Sequence, residues 1–350
     1  MKRFISRRDF LKIAGAVGVA GAMTACGGSS GSTASSGAAS AASGAKAEYT
    51  LKVSHTQNAD TPVVQGMYEF QRIVEEKSGG RMKIEVYPSG SLGDTSELVT
   101  QCLSGSNIGF MTDAGRFTDF VPEMGILNAP YVINSYDEGL KAVQSDYFNG
   151  LLAQLEGEGY KLLCFNFYEG ARHILTNKPV NCLADLRGVK LRTGSTKEWV
   201  GTLEAFGAVP TALAQSEVYN GIQNKVVDGA DQQIITVSSM QLYEVAPYYA
   251  LTGQYHLMLG MCVNTNWFNT LPEDLQQILL DAAAEGGEYA AGETNEVTDA
   301  MLTDMEAKGL VVKEFTEDEL KEWKDAAETF YDKNPEYKEW RTSLREAIEK

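Results

Sequence analysis

This sequence predicts an α/β fold, on three observations. Short apolar runs of strand length alternate with longer segments whose apolar residues recur at helical spacing. Glycine and proline punctuate the changes between them. The alternation continues from Tyr49 onward, and this pattern predicts largely parallel sheets covered by helices.

"YTLKVS", 49–54, reads as a buried strand. Thr61-Pro62 opens a helix with proline at its first position, where the missing N–H costs nothing. Val63, Met67, Phe70 and Val74 form one apolar stripe along it, and Gly79-Gly80 stops it. "RMKIEVY" alternates Met82, Ile84 and Val86 on one face, a second strand. A helix from about Asp94 to Leu103, the strand "IGFMT" and irregular turns around Pro122 and Pro130 follow. "YKLLCFNFY" (160–168) and "GVKLRT" are further strands, and "KEWVGTLEAF" is a helix. "SEVYNGIQN" is a short helix ahead of the strand-like "VVDGADQ". The stretch from Pro272 to about Lys308 contains no later proline and reads as one extended helix. Two more helices close the chain, with Trp323, Phe330 and Tyr331 as packing residues.

The first 46 residues follow a different logic. Arg7-Arg8 precede "IAGAVGVAGAMTAC", a weakly apolar run holding three glycines. About 20 strongly apolar residues are needed to cross a bilayer as a helix, so the run reads as an export signal. The paired arginines point to the twin-arginine route, which exports folded chains. Thr24-Ala25-Cys26 fits a lipobox, in which Cys26 is lipidated and becomes the new N-terminus, although Met23 stands where leucine is usual. Residues 26–46 have no aromatic or branched aliphatic side chain, too little apolar surface to offset the entropy of ordering, and read as a flexible tether. This layout places the folded body on the outer face of a membrane, anchored through Cys26.

The whole chain carries a net charge of −17. Beyond residue 25 the balance is 25 Lys+Arg against 46 Asp+Glu. Such a surface repels phosphate backbones, which argues against nucleic acid as a partner. It leaves room for a small anion held by a local arginine. Cys102, Cys164, Cys182 and Cys262 show no metal-ligand spacing; either disulfides or buried free thiols are open to an exported chain. His55, His173 and His256 are scattered among apolar or small neighbours, so neither metal nor cofactor is expected. The roughly 300 residues after the tether suit one large or two ordinary domains.

"RFTDFVPEMGILNAPYVI", 116–133, resembles the substrate-binding subunits of tripartite ATP-independent periplasmic (TRAP) transporters. "YPSGSLGD", "ARHILTN", "LRGVKLRTGST", "SEVYNGIQNKVVDGAD" and "LPEDLQQILLDAA" extend the resemblance in order over nearly everything from Tyr49 onward. It implies a two-domain periplasmic-binding-protein-like fold with a ligand cleft between the domains and a long helix spanning both. Domain I would comprise 47–169 plus 258–297, and domain II 170–257 plus 298–350. The implied partners are an organic acid and the membrane permease.

The ligand set follows from that resemblance. Arg192, at the end of "KLRT", matches the arginine that grips the ligand carboxylate, and a guanidinium fork suits that task in two parallel hydrogen bonds. On sequence alone it could equally pair with a surface acid. Arg172 matches a second arginine used with larger acids, or forms an inter-domain ion pair. Asp113 matches an acidic position that accepts from ligand hydroxyls or an amine, or partners Arg116. Gln232 stands where relatives carry asparagine, and Gln215 where they carry an apolar or aromatic residue. Gln254 replaces a histidine, with His256 close by. Thr56 belongs to the same set, and Trp199 either walls the pocket or packs. The competing class is an exported enzyme, but no GxGxxG after a strand, P-loop, GxSxG or HExxH supports it.

Overall fold

The computed structural model describes residues 47–105 and 107–349. The export signal, Cys26 and the tether lie outside them. Chain order begins β1 (Tyr49–Ser54), α1 (Pro62–Lys77), β2 (Met82–Tyr87), α2 (Thr95–Leu103) and β3 (Ile108–Thr112). Two 3-10 turns, Ala114–Phe117 and Pro122–Asn128, then lead to α3 (Tyr136–Gln144), α4 (Asp146–Gly157) and β4 (Tyr160–Thr176). Next come β5 (Lys190–Thr193), α5 (Lys197–Ala205), β6 (Val209–Ala212), α6 (Val218–Gln223), β7 (Gly229–Gln232) and α7 (Ile234–Ser239). The chain continues as β8 (Tyr248–Asn264), α8 (Thr265–Asn269), α9 (Glu273–Ala307), β9 (Val311–Lys313), α10 (Glu317–Lys333) and α11 (Pro335–Ile348).

All nine strands join one sheet in the order β2-β1-β3-β8-β4-β7-β5-β6, with β9 also on β8. The sequence predicts a largely parallel sheet; the observed sheet is mixed. β1 runs parallel to β2 and β3, and β5 runs parallel to β6 and β7. Between these groups β4 and β8 run antiparallel to one another, each 17 residues long. β3 pairs near one end of β8, from Phe110↔Cys262 to Thr112↔Gly260. β7 pairs near the far end of β4, from His173↔Gln232 to Thr176↔Gly229. The two parallel groups therefore sit at opposite ends of a shared pair.

That pair is not straight. Its register slips between Leu162 and Cys164, Cys164 and Phe167, Tyr168 and Gly170, and Arg172 and Ile174. Gly170 (φ 99°) and Gly253 (φ 58°) take left-handed conformations that a Cβ would disfavour. The expected strand ends at Tyr168, whereas the observed one continues past Gly170. Hydrogen bonding to β8 carries the strand on to Thr176.

Four apolar clusters fill the interior. One packs α1 and the first half of α9 on β1, β2 and β8, around Leu51, Phe70, Met261 and Leu279. A second surrounds Phe117, Phe148 and Tyr160 and takes in Phe330, Tyr331 and Tyr337 from α10 and α11. Tyr249 and Met305 belong to a third cluster, and Leu191, Phe206 and Trp323 to a fourth. The 35-residue α9, about 50 Å long, contributes Leu279 to one end and Met305 to the other. It packs against α1 closely enough that a Cβ on Gly66 would fall 2.5 Å from the Gly286 carbonyl oxygen. Trp323, Phe330 and Tyr331 are buried packing residues, as their sequence context suggests.

The cysteines of the described residues are unpaired: Cys102 and Cys262 are buried, Cys164 half-buried and Cys182 exposed. No helix of the described residues is long and apolar enough to cross a membrane.

Candidate functional site

Within each parallel group the strands end on the same side, and the polar segments following those ends face one cleft of about 380 Å³. Thr56 follows β1, Asp113 follows β3, Arg192 lies within β5 and Gln232 ends β7. Arg172 on β4, Trp199 on α5 and Gln215 complete the seven residues expected from sequence. All seven line this cleft.

Their partners differ in a way that decides their chemistry. Arg172 is committed. Its Nε donates to Asp231 Oδ2 at 3.0 Å, and its Nη2 donates to the Asp231 carbonyl at 2.6 Å and lies 2.9 Å from Oδ1. Asp231 is fully buried, and the Arg172 guanidinium stacks 4.3 Å over the Trp199 ring. The ion pair that Arg172 forms is with a β7 carboxylate of its own expected domain and not an inter-domain one. Trp199 both packs and walls the cleft; it is 4% exposed.

Arg192 is not committed. Its Nε donates to the Leu213 carbonyl at 3.0 Å, and no carboxylate of the described residues forms an ion pair with it. The side chain is 5% exposed. Burial first, and then the neighbouring charges of Arg172 and Arg116, pull its guanidinium down to about 9, still charged at neutral pH. A desolvated cation with two like charges nearby is a site that an anion stabilises.

The remaining positions form a polar lining. Asp113 Oδ1 accepts from the Gly115 N–H and from Asn128, and Oδ2 lies 3.8 Å from Arg116 Nε. Arg116 Nη1 also donates to Ser96 and Ser195. Gln232 Nε2 donates to Gln215 Oε1 at 3.3 Å. Gln254 is buried, donated to by Thr252, and lies off the lining. Thr56 is half-buried at the cleft wall.

Three lining residues escape the sequence reading. Glu169 is 6% exposed on β4, and its two oxygens accept from Gln57 Nε2 at 2.6 Å and Gln233 Nε2 at 2.9 Å. Gln57 Nε2 also donates to Thr236 at 2.8 Å. The available signal was an acid inside an apolar strand, "FYEGAR", hidden because the expected strand stops at Tyr168 while β4 runs on to Thr176. The amides offered no signal of charge. His55 accepts from the Gln57 N–H at 3.2 Å, and burial holds it down at about 4, hence neutral. No cluster of three or more metal-ligating side chains lies among the described residues.

Behind Trp199, the fully buried Glu198 takes a hydrogen bond from the Tyr337 hydroxyl of α11. Burial pushes this carboxyl up from 4.5 to about 7. A carboxyl raised in the folded state binds a proton that the unfolded chain has released, so its contribution falls as pH rises between about 4.5 and about 7 and is level above. Glu198→Gln should remove that slope. Denaturant unfolding at about pH 5 and about pH 8 should show the parent losing about 3 kcal/mol more than the variant between the two. Equal losses would show that Glu198 titrates normally.

Comparison with known proteins agrees with this architecture. Residues 53–337 match the family described as bacterial extracellular solute-binding protein, family 7. Residues 5–24 match the twin-arginine translocation pathway signal sequence. The chain is 28% identical over 288 residues to the C4-dicarboxylate-binding periplasmic protein DctP of Rhodobacter capsulatus, covering 82% of this chain and 86% of that one. It is 29% identical over 215 residues to the sialic acid-binding periplasmic protein SiaP of Vibrio cholerae, covering 58% and 67%. Among solved structures, it superposes with a TM-score of 0.81 on a TRAP periplasmic solute-binding protein of Actinobacillus succinogenes with bound L-galactonate. That match is 28% identical and covers 85% of this chain and 99% of the other. A second such protein, from Escherichia fergusonii in an apo open form, gives a TM-score of 0.76 at 32% identity, over 85% and 99%. The family match spans most of the described body, and the chain belongs to bacterial extracellular solute-binding protein family 7, the binding subunits of TRAP transporters.

Proposed function

We propose that this protein captures a small organic acid outside the cytoplasm and hands it to the permease subunits of a TRAP transporter. The observation that carries the reading is Arg192, a buried guanidinium in a cleft without a carboxylate partner. A ligand carboxylate would fill that place with two charge-assisted hydrogen bonds. Relatives named for C4-dicarboxylates and sialic acid, and a neighbour holding L-galactonate, support an acid as the ligand class. The mechanism is capture without chemistry. Strands β1–β3 belong to one lobe and β5–β7 to the other, α11 packs with the first through Tyr337 and Leu344, and the register slips at Gly170 support a hinge between them. Closure excludes water and strengthens the Arg192 ion pair.

The twin-arginine signal brings the chain across the membrane already folded. Lipidation at Cys26, supported by Thr24-Ala25-Cys26, would keep it there and raise its concentration near the permease.

Thermal unfolding of ligand-free protein against a panel of sugar acids, keto acids and C4-dicarboxylates tests the reading. An acid at 100 times its dissociation constant should stabilise the fold by about 2.7 kcal/mol, a shift of a few degrees. If no acid shifts the midpoint, capture of organic acids is wrong.

A further inference from the structure

The cleft holds three cations, Arg116, Arg172 and Arg192, and they are not equally available. Arg172 is matched by Asp231, and Arg116 lies within ion-pair distance of Asp113. Arg192 alone of the three forms no ion pair among the described residues, while Arg116 donates to Ser96 and Ser195 and keeps a buried Nε without a hydrogen-bond partner. Glu169 presents the opposite imbalance: it lines the same cleft, is buried, and both its hydrogen-bond donors are neutral amides. Among the described residues no cation forms an ion pair with it.

We propose that Glu169, with Gln57 beside it, selects an acid carrying one carboxylate and a hydroxyl-bearing tail, and turns away acids with a carboxylate at both ends. This rests on the capture reading above and adds which acid is captured. A carboxylate oxygen can accept more than one hydrogen bond, so Glu169 retains acceptor capacity after both amides are counted. A hydroxyl donates to it at no charge cost. A second carboxylate would instead face a desolvated like charge, with Asp113 adding to the repulsion.

The neighbouring groups favour hydroxyls for a second reason. Gln57 Oε1 and Thr112 Oγ1 are buried without a hydrogen-bond partner, and both residues line the cleft. An orphaned acceptor and an orphaned hydroxyl match a polyhydroxylated chain, whose groups both donate and accept. An ammonium group is less well served. Trp199, the ring best suited to hold a cation, already carries Arg172 on its face. Burial raises the Glu169 carboxyl, and Arg172 and the two amides oppose that shift.

The matched test is isothermal titration of the ligand-free full chain with aldonates and their aldarates. Gluconate with glucarate and galactonate with galactarate differ only in the second terminal carboxylate. The parent protein should bind at least one aldonate about tenfold or more tighter than its aldarate. Glu169→Gln should bring the two within about threefold, with its unliganded melting midpoint reporting that it folds. Should the variant fail to fold, the parent's ratio and the same measurement on Gln57→Leu, which should weaken the aldonate alone, still decide. Equal or tighter aldarate binding by the parent would overturn the inference and leave capture standing. So would a ratio unchanged in Glu169→Gln, or a preference for amino-acid zwitterions. If neither the aldonates nor the aldarates bind the parent, the inference falls, and the wider acid panel decides whether capture stands.

Discussion

Replacing Arg192 by alanine is expected to remove organic-acid binding while leaving a folded protein. The loss should be about 2–5 kcal/mol of binding free energy, the range found on truncating one partner of a buried charge pair, or roughly 30-fold to several-thousand-fold in affinity. The unliganded fold should change little. The native side chain is a desolvated cation with Arg172 and Arg116 as neighbours, so its removal relieves a penalty as it loses packing. Thermal unfolding with and without a saturating acid separates the two effects. A ligand-induced shift that persists in Arg192→Ala would move the carboxylate clamp elsewhere in the cleft. A collapsed unliganded midpoint would make Arg192 structural.

Asp231→Asn should do the reverse and strike stability first. Asp231 is fully buried on β7 and is the counter-charge of Arg172, held through Nε and Nη2. Removing one member of a buried pair leaves the other uncompensated, which typically costs about 3–5 kcal/mol. The guanidinium would keep the Asp231 backbone carbonyl and the Trp199 face, neither of which carries a full charge. Denaturant unfolding should show the loss in the midpoint. Arg172→Met combined with Asp231→Asn should recover much of it, since a neutral pair has no charge to desolvate. A double variant as unstable as Asp231→Asn alone would mean that the cost lies in packing at β7.

Much of the fold was legible because local rules governed it. The stripe at Val63, Met67, Phe70 and Val74 predicted α1, and the proline-free run after Pro272 predicted α9. The central antiparallel pair was not legible. β8 reads "YYALTGQYHLMLGMCVN", apolar on both faces, with glycines at 253 and 260 that imitate turns. Only its long-range pairing with β4 makes it a strand. The candidate site divided along the same line. Arg192 and Asp113, charged residues near strand ends, came forward as ligand positions only through the family resemblance, and Arg192→Ala and the acid panel test their roles. That Arg172 is neutralised and Arg192 is not depends on the β4–β7 register, which sets Ile174 opposite Asp231. No spacing along the chain encodes that. Glu169 was hidden for a related reason, since its strand continues through a left-handed glycine.

The shared strand pair has a consequence for how such a protein can change over generations. β4 and β8 supply hydrogen bonds to both parallel groups, and α9 contributes side chains to apolar clusters at both ends. Neither half is therefore a continuous length of chain that could be lifted out and exchanged for another by recombination. New ligand preferences must arise by substitution within the cleft, one side chain at a time.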